Sequence, residues 1–259
     1  MTPSAPAAFT CIAADGSSAE VARSVASEVP VALEVNGFGY AVLMATPCDL
    51  EDLATGFALS DGLIDVAADI ATLTAHQAKG GVILRLTVRA ALAERIAERL
   101  RPRLSDSSCG LCGLENIERV LRPLPPVDRT SRAAPPAVFR ALAEIGPMQV
   151  LNRETGAVHG AALAAADGTI RLLREDIGRH NALDKLIGAM RRQGLGWDGG
   201  FALTTSRCSY ELVEKAVLAG CPMLATMSAP TGLALSRAAD AGMAVICLAR
   251  EDSLLRAGD

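Results

Sequence analysis

The sequence has few aromatic residues and no long apolar run. Only 3% of its 259 residues are aromatic, whereas 50% are hydrophobic, so we expect a core of alanine, leucine, valine and isoleucine. No stretch reaches the roughly 18 uninterrupted apolar residues that a membrane-spanning helix needs. Residues 1–10 lack the basic start and the apolar run of a signal peptide. We therefore expect neither a membrane span nor a secretory leader.

Basic residues are scarce in the first part of the chain. Between residues 1 and 60 the only one is Arg23, against seven carboxylates, whereas residues 85–140 hold eleven arginines and six carboxylates. The formal net charge of −4 argues against bulk binding to nucleic acid. The arginine-rich segment is either an ordinary solvated surface or a patch that attracts an anionic ligand or partner.

The cysteines are odd in number and irregularly spaced. Seven cysteines without paired spacing do not suggest the disulfide framework of a secreted domain, so we expect free thiols in a reducing cytoplasm. Four of them lie on apolar or terminal segments and are interpreted as packing residues: Cys11, Cys48, Cys221 and Cys247. Cys208 follows a predicted strand in a polar loop, where a reactive role stays open.

The other two cysteines, Cys109 and Cys112, form the only CxxC motif. Small polar residues precede it, which favours a loop, and apolar residues at helical spacing predict a short helix from Leu114. The partial positive charge at a helix start favours the thiolate, which is the reactive form of cysteine. Glu115 and Glu118 would oppose this effect.

Metal binding and disulfide exchange are the alternatives for this motif. Structural zinc needs four ligands, usually in two close pairs, and the sequence offers no second CxxC and no HxxxH. A site that combines the two thiols with His159 and His180 is conceivable, although no spacing supports it. A disulfide oxidoreductase would carry the motif between a strand and a long helix of a βαβ unit, which is not the predicted context here.

The predicted elements divide the chain into two parts. Residues 1–125 mix strands and helices, among them a hairpin over residues 29–46 and a helix that Asp49 could cap, and we expect a small α+β domain. Five prolines within residues 123–136 mark the boundary. In residues 126–259 short apolar strands alternate with helices, which predicts parallel strands joined by right-handed crossovers.

Polar segments follow the predicted strands of the second part. In an open α/β sheet, ligands bind beyond the carboxyl ends of the strands, and helix starts there offer N–H groups to phosphate oxygens. Residues 204–209, which include Arg207, residues 228–232 and residues 250–252 are such segments, and the first two lead straight into predicted helices. N-capping by serine and threonine would also explain each segment taken alone.

Three further residues are candidates for ligand contacts. Residues 175–181 are dense in charge before a predicted helix, so Arg179 and His180 could bind a phosphate or a base. A capped, salt-bridged helix start would explain them equally well. His159 lies among small residues that leave room for a ligand, although an isolated histidine is more often structural.

Several segments together resemble one known family. They are residues 52–64 (DLATGFALSDGLI), 109–113 (CGLCG), 155–163 (TGAVHGAAL), 175–187 (EDIGRHNALDKLI), 206–216 (SRCSYELVEKA) and 228–232 (SAPTG). The resemblance is to the FdhD family of formate dehydrogenase accessory sulfur carriers, and it spans residues 29–250. The sequence departs from the usual family pattern at Ala157, at Cys208 and in residues 247–250.

The resemblance implies a specific activity. Such proteins accept sulfane sulfur from a cysteine desulfurase as a persulfide on the CxxC. They pass it to molybdenum in the bis-molybdopterin guanine dinucleotide cofactor (bis-MGD), which then enters formate dehydrogenase. The resemblance also implies a homodimer and a larger cytidine-deaminase-like α/β domain with three layers and a mixed sheet. Because the deaminase zinc signature is missing, we expect that fold without an intrinsic metal.

The resemblance also implies the site residues. Cys109 is the expected persulfide carrier, and Cys112 is the alternate carrier or the resolving thiol. Contacts to the cofactor are expected from His159, Arg179, His180, Asn181, Lys185, Arg207, Ser228, Thr231, Leu248, Ala249, Arg250 and Glu251. The prediction is therefore a cytoplasmic sulfurtransferase, and the alternative is a chaperone that binds bis-MGD without moving sulfur.

Overall fold

The computed structural model describes residues 1–104 and 123–258, and only the backbone of residues 100–104. The CxxC motif with Cys109 and Cys112, and the helix predicted from Leu114, lie outside the described residues. Within them the chain forms three β-sheets and seven α-helices.

The first part of the chain holds a separate hairpin and a four-stranded sheet. Its strands are β1 (Ser4–Ile12), β2 (Ser18–Ala26), β3 (Val29–Val35), β4 (Phe38–Ala45), β5 (Ile70–Ala78) and β6 (Gly81–Val88). β1 pairs only with β2 among the described strands, and the larger sheet has the order β4-β3-β6-β5. The hairpins β3–β4 and β5–β6 are antiparallel, and β3 lies parallel to β6. The predicted hairpin over residues 29–46 is confirmed.

Two helices belong to this part, α1 (Leu50–Ser60) and α2 (Ala93–Leu104). The buried residues Leu53 and Phe57 of α1 pack in one core with the inward side chains of β3 and β6. Asp49 precedes α1 with a φ of 51°, and its side chain makes no capping hydrogen bond. The predicted cap is therefore wrong, because the carboxylate turns away and lies 3.7 Å from Arg174 Nε.

The second part is built on a six-stranded mixed sheet. Its strands are β7 (His159–Ala164), β8 (Ile170–Asp176), β9 (Phe201–Thr204), β10 (Met223–Thr226), β11 (Ala244–Cys247) and β12 (Leu255–Arg256), in the order β12-β11-β10-β9-β7-β8. β9, β10 and β11 are parallel, as the alternation of strands and helices predicts. β7 runs antiparallel to both of its neighbours, and β12 runs antiparallel to β11.

Helices cover both faces of this sheet. They are α3 (Pro135–Met148), α4 (Val150–Thr155), α5 (Arg179–Arg192), α6 (Tyr210–Leu218) and α7 (Gly232–Asp240). Buried side chains of α5, α6 and α7 form one core with β7, β9 and β10, and α3 forms a second core on the opposite face. The three layers and the mixed sheet agree with the predicted α/β class. None of the described helices is long and apolar enough to cross a membrane.

The two parts are in direct contact. α1 packs on α5 as well as on its own sheet, so it lies between the four-stranded sheet and the helices of the second part. The boundary at residue 125 stays a prediction.

Candidate functional site

Backbone hydrogen bonds join the loops that follow β9, β10 and β11. The N–H of Cys208 donates to Ala229 O (3.2 Å), and the N–H of Thr231 donates back to Cys208 O (3.0 Å). The third loop joins through the N–H of Leu248, which donates to Ser228 O (3.2 Å). The polar segments that the sequence places after these strands therefore lie side by side at one edge of the sheet, which we call the strand-end surface.

The predicted contact residues on this surface differ in exposure. Arg207, Thr231, Arg250 and Glu251 are exposed, Ser228 and Leu248 are half-buried, and Ala249 is buried. The Thr231 hydroxyl accepts a hydrogen bond from Ala234 N (3.2 Å), so it caps α7. The capping role considered for this threonine is therefore confirmed. The exposed guanidinium groups of Arg207 and Arg250 are the positively charged side chains accessible to an anion on this surface.

The start of α5 places Arg179 and His180 beside Glu211 of α6. His180 Nε2 lies 2.8 Å from Glu211 Oε2, and Arg179 Nη2 lies 4.0 Å from the same oxygen. Burial lowers the pKa of His180 to about 4, although the nearby carboxylate acts in the opposite direction. The imidazole is therefore neutral at pH 7, donates from Nε2 to the carboxylate and keeps Nδ1 as an acceptor.

Glu211 is absent from the residues expected at the site. It lies in the first turn of a helix, where an acidic residue is usually explained by the helix dipole. No local signal in the sequence pairs it with a histidine 31 positions earlier.

His159 and Arg179 are close enough to interact electrostatically. His159 is half-buried at the start of β7, and burial together with the charge of Arg179 lowers the pKa of its imidazole. Arg179 Nε is buried and has no hydrogen-bond partner among the described residues. Because an unpaired buried donor costs about 1–3 kcal/mol, an acceptor oxygen of a ligand would be favoured here.

Lys185 lies in the interior of the protein. Its side chain has 0% exposure, and its ammonium group donates to Asp176 Oδ2 (2.6 Å), Thr46 O (3.1 Å) and Glu175 O (3.3 Å). A lysine has three N–H donors, so these three oxygens use all of them. Direct contact between Lys185 and a ligand stays a prediction.

Asn181 belongs to the same buried group. Its side-chain amide donates to Met44 O (2.8 Å) and to Asp176 Oδ1 (3.0 Å), so both of its N–H donors are used. The motif at residues 175–187 is thus divided in space. His180 and Asn181 line a cleft at the site, whereas Lys185 is fully buried and bonds to the first part of the chain.

A cleft of about 360 Å³ opens beside His180, between α1, α5 and α6. The Phe57 ring lines it, and Lys215 Nζ lies 5.4 Å from the centre of that ring. Lys215 is held by the buried carboxylate of Asp184 (2.8 Å), and Glu211, one turn earlier on α6, also lines the cleft. An aromatic wall and carboxylate acceptors suit a flat heterocycle with N–H donors.

The described cysteines do not include a reactive thiol at the site. Cys208 is fully buried, and burial raises the pKa of its thiol to about 12, so it is a packing residue. Cys221 and Cys247 are also buried, as expected, whereas Cys48 is half-buried. Cys11 is exposed on β1, so its interpretation as a packing residue is wrong. Within residues 1–104 and 123–258, no three His, Cys, Asp or Glu side chains gather as metal ligands.

Comparisons with known proteins agree with this architecture. The sequence model of the FdhD/NarQ family matches residues 26–255. The protein named sulfur carrier protein FdhD of Variovorax paradoxus is 46% identical over 231 residues, which cover 89% of this chain and 83% of that relative. Its namesake in Xanthomonas euvesicatoria is 45% identical over 236 residues, which cover 91% and 84%.

The fold also occurs in a solved structure. A crystal structure of a candidate formate dehydrogenase accessory protein from Desulfotalea psychrophila matches with a TM-score of 0.78 and 22% sequence identity. The match covers 99% of this chain and 97% of that one, and it shows a shared fold. Because the family model matches residues 26–255 and the two curated relatives are 46% and 45% identical to it, the chain belongs to the FdhD/NarQ family.

Proposed function

We propose that this protein is a sulfurtransferase in the maturation of formate dehydrogenase. In this proposal Cys109 carries sulfane sulfur as a persulfide from a cysteine desulfurase to the molybdenum of bis-MGD. The observation that carries the proposal is the CGLCG motif at residues 109–113 in a chain whose relatives are named sulfur carrier proteins. Free thiols need a reducing compartment, so we place the protein in the cytoplasm, and a homodimer stays a prediction.

Loading requires the transfer of one sulfur atom. The Cys109 thiolate attacks the terminal sulfur of the desulfurase persulfide, the S–S bond of the donor breaks, and the desulfurase cysteine leaves as a thiolate. No electrons are gained or lost overall. The small residues around the motif favour this step because an unhindered thiolate reacts fastest.

Delivery as sulfide requires two electrons. The Cys112 thiolate attacks Cys109 Sγ, and hydrosulfide leaves. The two cysteines supply both electrons, because they are oxidised to a disulfide in this step. The hydrosulfide is the ligand that the substrate molybdenum receives, and a dithiol reductant then returns the motif to its thiol form. The two cysteines can exchange roles without changing this balance.

The strand-end surface supports binding of the nucleotide ends of the substrate. Arg207 and Arg250 are exposed there, and guanidinium groups bind phosphate oxygens through paired hydrogen bonds. Arg179 adds a buried donor at the start of α5, where the helix dipole also favours an anion. The cleft beside His180 has the size and the Glu211 acceptor that a guanine base would use.

The test compares Cys109→Ala with the wild type in sulfur loading and in activation of formate dehydrogenase. Anaerobic incubation with a desulfurase and cysteine should add one sulfur atom to the CxxC peptide of the wild type, detected by mass spectrometry. Cys109→Ala should stay folded but fail to activate formate dehydrogenase, whereas Cys11→Ala, at an exposed cysteine on β1, should behave as wild type. Normal activation by Cys109→Ala would refute its assignment as the carrier.

A chaperone that shields bis-MGD without moving sulfur is the second candidate. The strand-end surface and the adjoining cleft favour it, because both are binding features that need no thiol. It predicts that the double variant Cys109→Ala/Cys112→Ala keeps full activity and unchanged affinity for guanosine diphosphate (GDP). The sulfurtransferase proposal predicts the same affinity for GDP but no activation.

A further inference from the structure

We infer that Lys185 and Asp176 are a positioning pair for sulfur transfer, an inference that rests on the proposed function. The pair holds the turn with Arg179 and His180 and the chain segment before α1 in one arrangement. It does so without touching the sulfur or the bound substrate. This role differs from the direct cofactor contact that the sequence motif suggests for Lys185.

The carboxylate of Asp176 accepts four hydrogen bonds, which is the capacity of the group. Its Oδ2 receives Lys185 Nζ (2.6 Å) and Thr46 N (3.1 Å). Its Oδ1 receives Gly178 N (2.8 Å) and Asn181 Nδ2 (3.0 Å). The carboxylate therefore links the Lys185 ammonium group to the backbone at Thr46 and Gly178 and to the Asn181 side chain. We call this arrangement the Asp176 junction.

These hydrogen bonds connect the start of α5 with the first part of the chain. Gly178 directly precedes Arg179 and His180, so the bond from its N–H sets the path of the chain into α5. Thr46 follows β4 in the first part of the chain, and its hydroxyl also accepts a hydrogen bond from Ile177 N (3.1 Å). One buried carboxylate thus fixes the candidate ligand residues relative to the part that leads toward the CxxC motif.

Lys185 compensates the charge of this carboxylate. Both side chains have 0% exposure, and removal of one partner of a buried pair leaves an uncompensated charge, which is strongly destabilising. Since the ammonium group has no N–H left for a ligand, its contribution to the reaction passes through Asp176.

Arg192 provides a matched control at the same helix contact. It pairs with Asp52 of α1 from the last turn of α5, far along the helix from Gly178. Asp52 keeps a second partner, Arg174 Nη2 at 2.8 Å, when Arg192 is replaced. Arg192→Met therefore weakens the α1–α5 contact without disturbing the Asp176 junction.

The experiment compares full-length wild type, Lys185→Met and Arg192→Met in three measurements. These are sulfur loading of the CxxC peptide by mass spectrometry, affinity for GDP by calorimetry, and activation of formate dehydrogenase. Lys185→Met should load sulfur as wild type does, bind GDP at least tenfold more weakly and lose activation. Arg192→Met should remain within twofold of wild type in all three.

A second variant tests the inference in case Lys185→Met does not fold. The double variant Lys185→Met/Asp176→Leu removes both charges, and apolar replacement of a buried ion pair often leaves stability unchanged. The N–H groups of Thr46 and Gly178 lose the carboxylate acceptor, however, so the melting temperature should be lower than that of wild type. Circular dichroism should show that the variant is folded at the assay temperature. Affinity for GDP should still be at least tenfold lower, because the bonds to Gly178 and Thr46 are gone.

Wild-type affinity for GDP and wild-type activation in the folded double variant would overturn the inference. An equal loss in Arg192→Met, or a joint loss of sulfur loading in the folded double variant, would also overturn it, because either result indicates general loosening of the protein. Failure of the proposed function itself is distinguishable, because then the wild type would neither load sulfur nor bind GDP, and the inference would be rejected with it.

Discussion

Gly56 of α1 and Gly188 of α5 meet backbone to backbone. A Cβ atom built on Gly56 would lie 1.7 Å from Asp184 O, and one built on Gly188 would lie 1.9 Å from Asp52 O. Such distances leave no room for a side chain at either position unless the two helices move apart. The main chains of the two helices therefore touch, which brings the first part of the chain directly against the helix that begins at the candidate site.

Gly56→Ala should destabilise the protein by about 3 kcal/mol, because the methyl group forces the two helices apart. Gly146→Ala in α3 is the control, since nothing lies within 4 Å of its added Cβ. It should leave stability unchanged or raise it by about 0.5–1 kcal/mol. Urea unfolding followed by circular dichroism measures both, and equal stability of the two variants would contradict the close helix contact.

The half-buried imidazole of His180 should make stability depend on pH. Its pKa is about 4 in the folded protein against 6.5 ordinarily, so folding favours the neutral form. The resulting stabilisation is complete above pH 6.5 and is lost as the pH falls from 6.5 toward 4. An NMR titration of the imidazole should give a midpoint well below 6.5, and a lower one still in Glu211→Gln. A midpoint above 6.5 would contradict the burial of this side chain.

The cysteines should differ sharply in their reaction with iodoacetamide. Cys11 is exposed and should be alkylated in the folded protein, whereas Cys208 and Cys221 should be protected. Burial raises the pKa of each of the latter two thiols to about 12, and only the thiolate reacts. Peptide mapping at pH 8 measures each site, with urea-unfolded protein as the control in which all three react. Equal labelling of Cys208 and Cys11 in the folded state would contradict the packing.

Arg207→Ala should weaken GDP binding by about tenfold, the value of one charge-assisted contact of roughly 1.4 kcal/mol. Because Arg207 is exposed, stability and sulfur loading should not change. Arg140→Ala is the control, since Arg140 is an exposed arginine on α3, which covers the other face of the sheet. Calorimetry measures the affinity of both variants for GDP, and equal affinities would show that Arg207 does not contact the ligand.

Local pattern predicts an element well where its signals agree. Val31, Leu33 and Val35 alternate toward the core, and Asn36 and Gly37 supply the positive φ angles of 50° and 84° that the tight hairpin turn needs. The β1–β2 hairpin escaped prediction because almost all of its positions are exposed. Strands without a buried face carry little periodic signal.

The sequence alone determined the family resemblance, the CxxC motif of Cys109 and Cys112, and the polar loops after the strands, because these depend on local spacing and residue type. Only the tertiary structure decided which residues of the motif at 175–187 are accessible at the candidate site and which are buried. Helical periodicity states which side chains share a face, but not which face another element covers. Packing against the chain at Met44 and Thr46 buried Lys185 and used both N–H donors of Asn181, which still lines the cleft, while the approach of α6 placed Glu211 against His180.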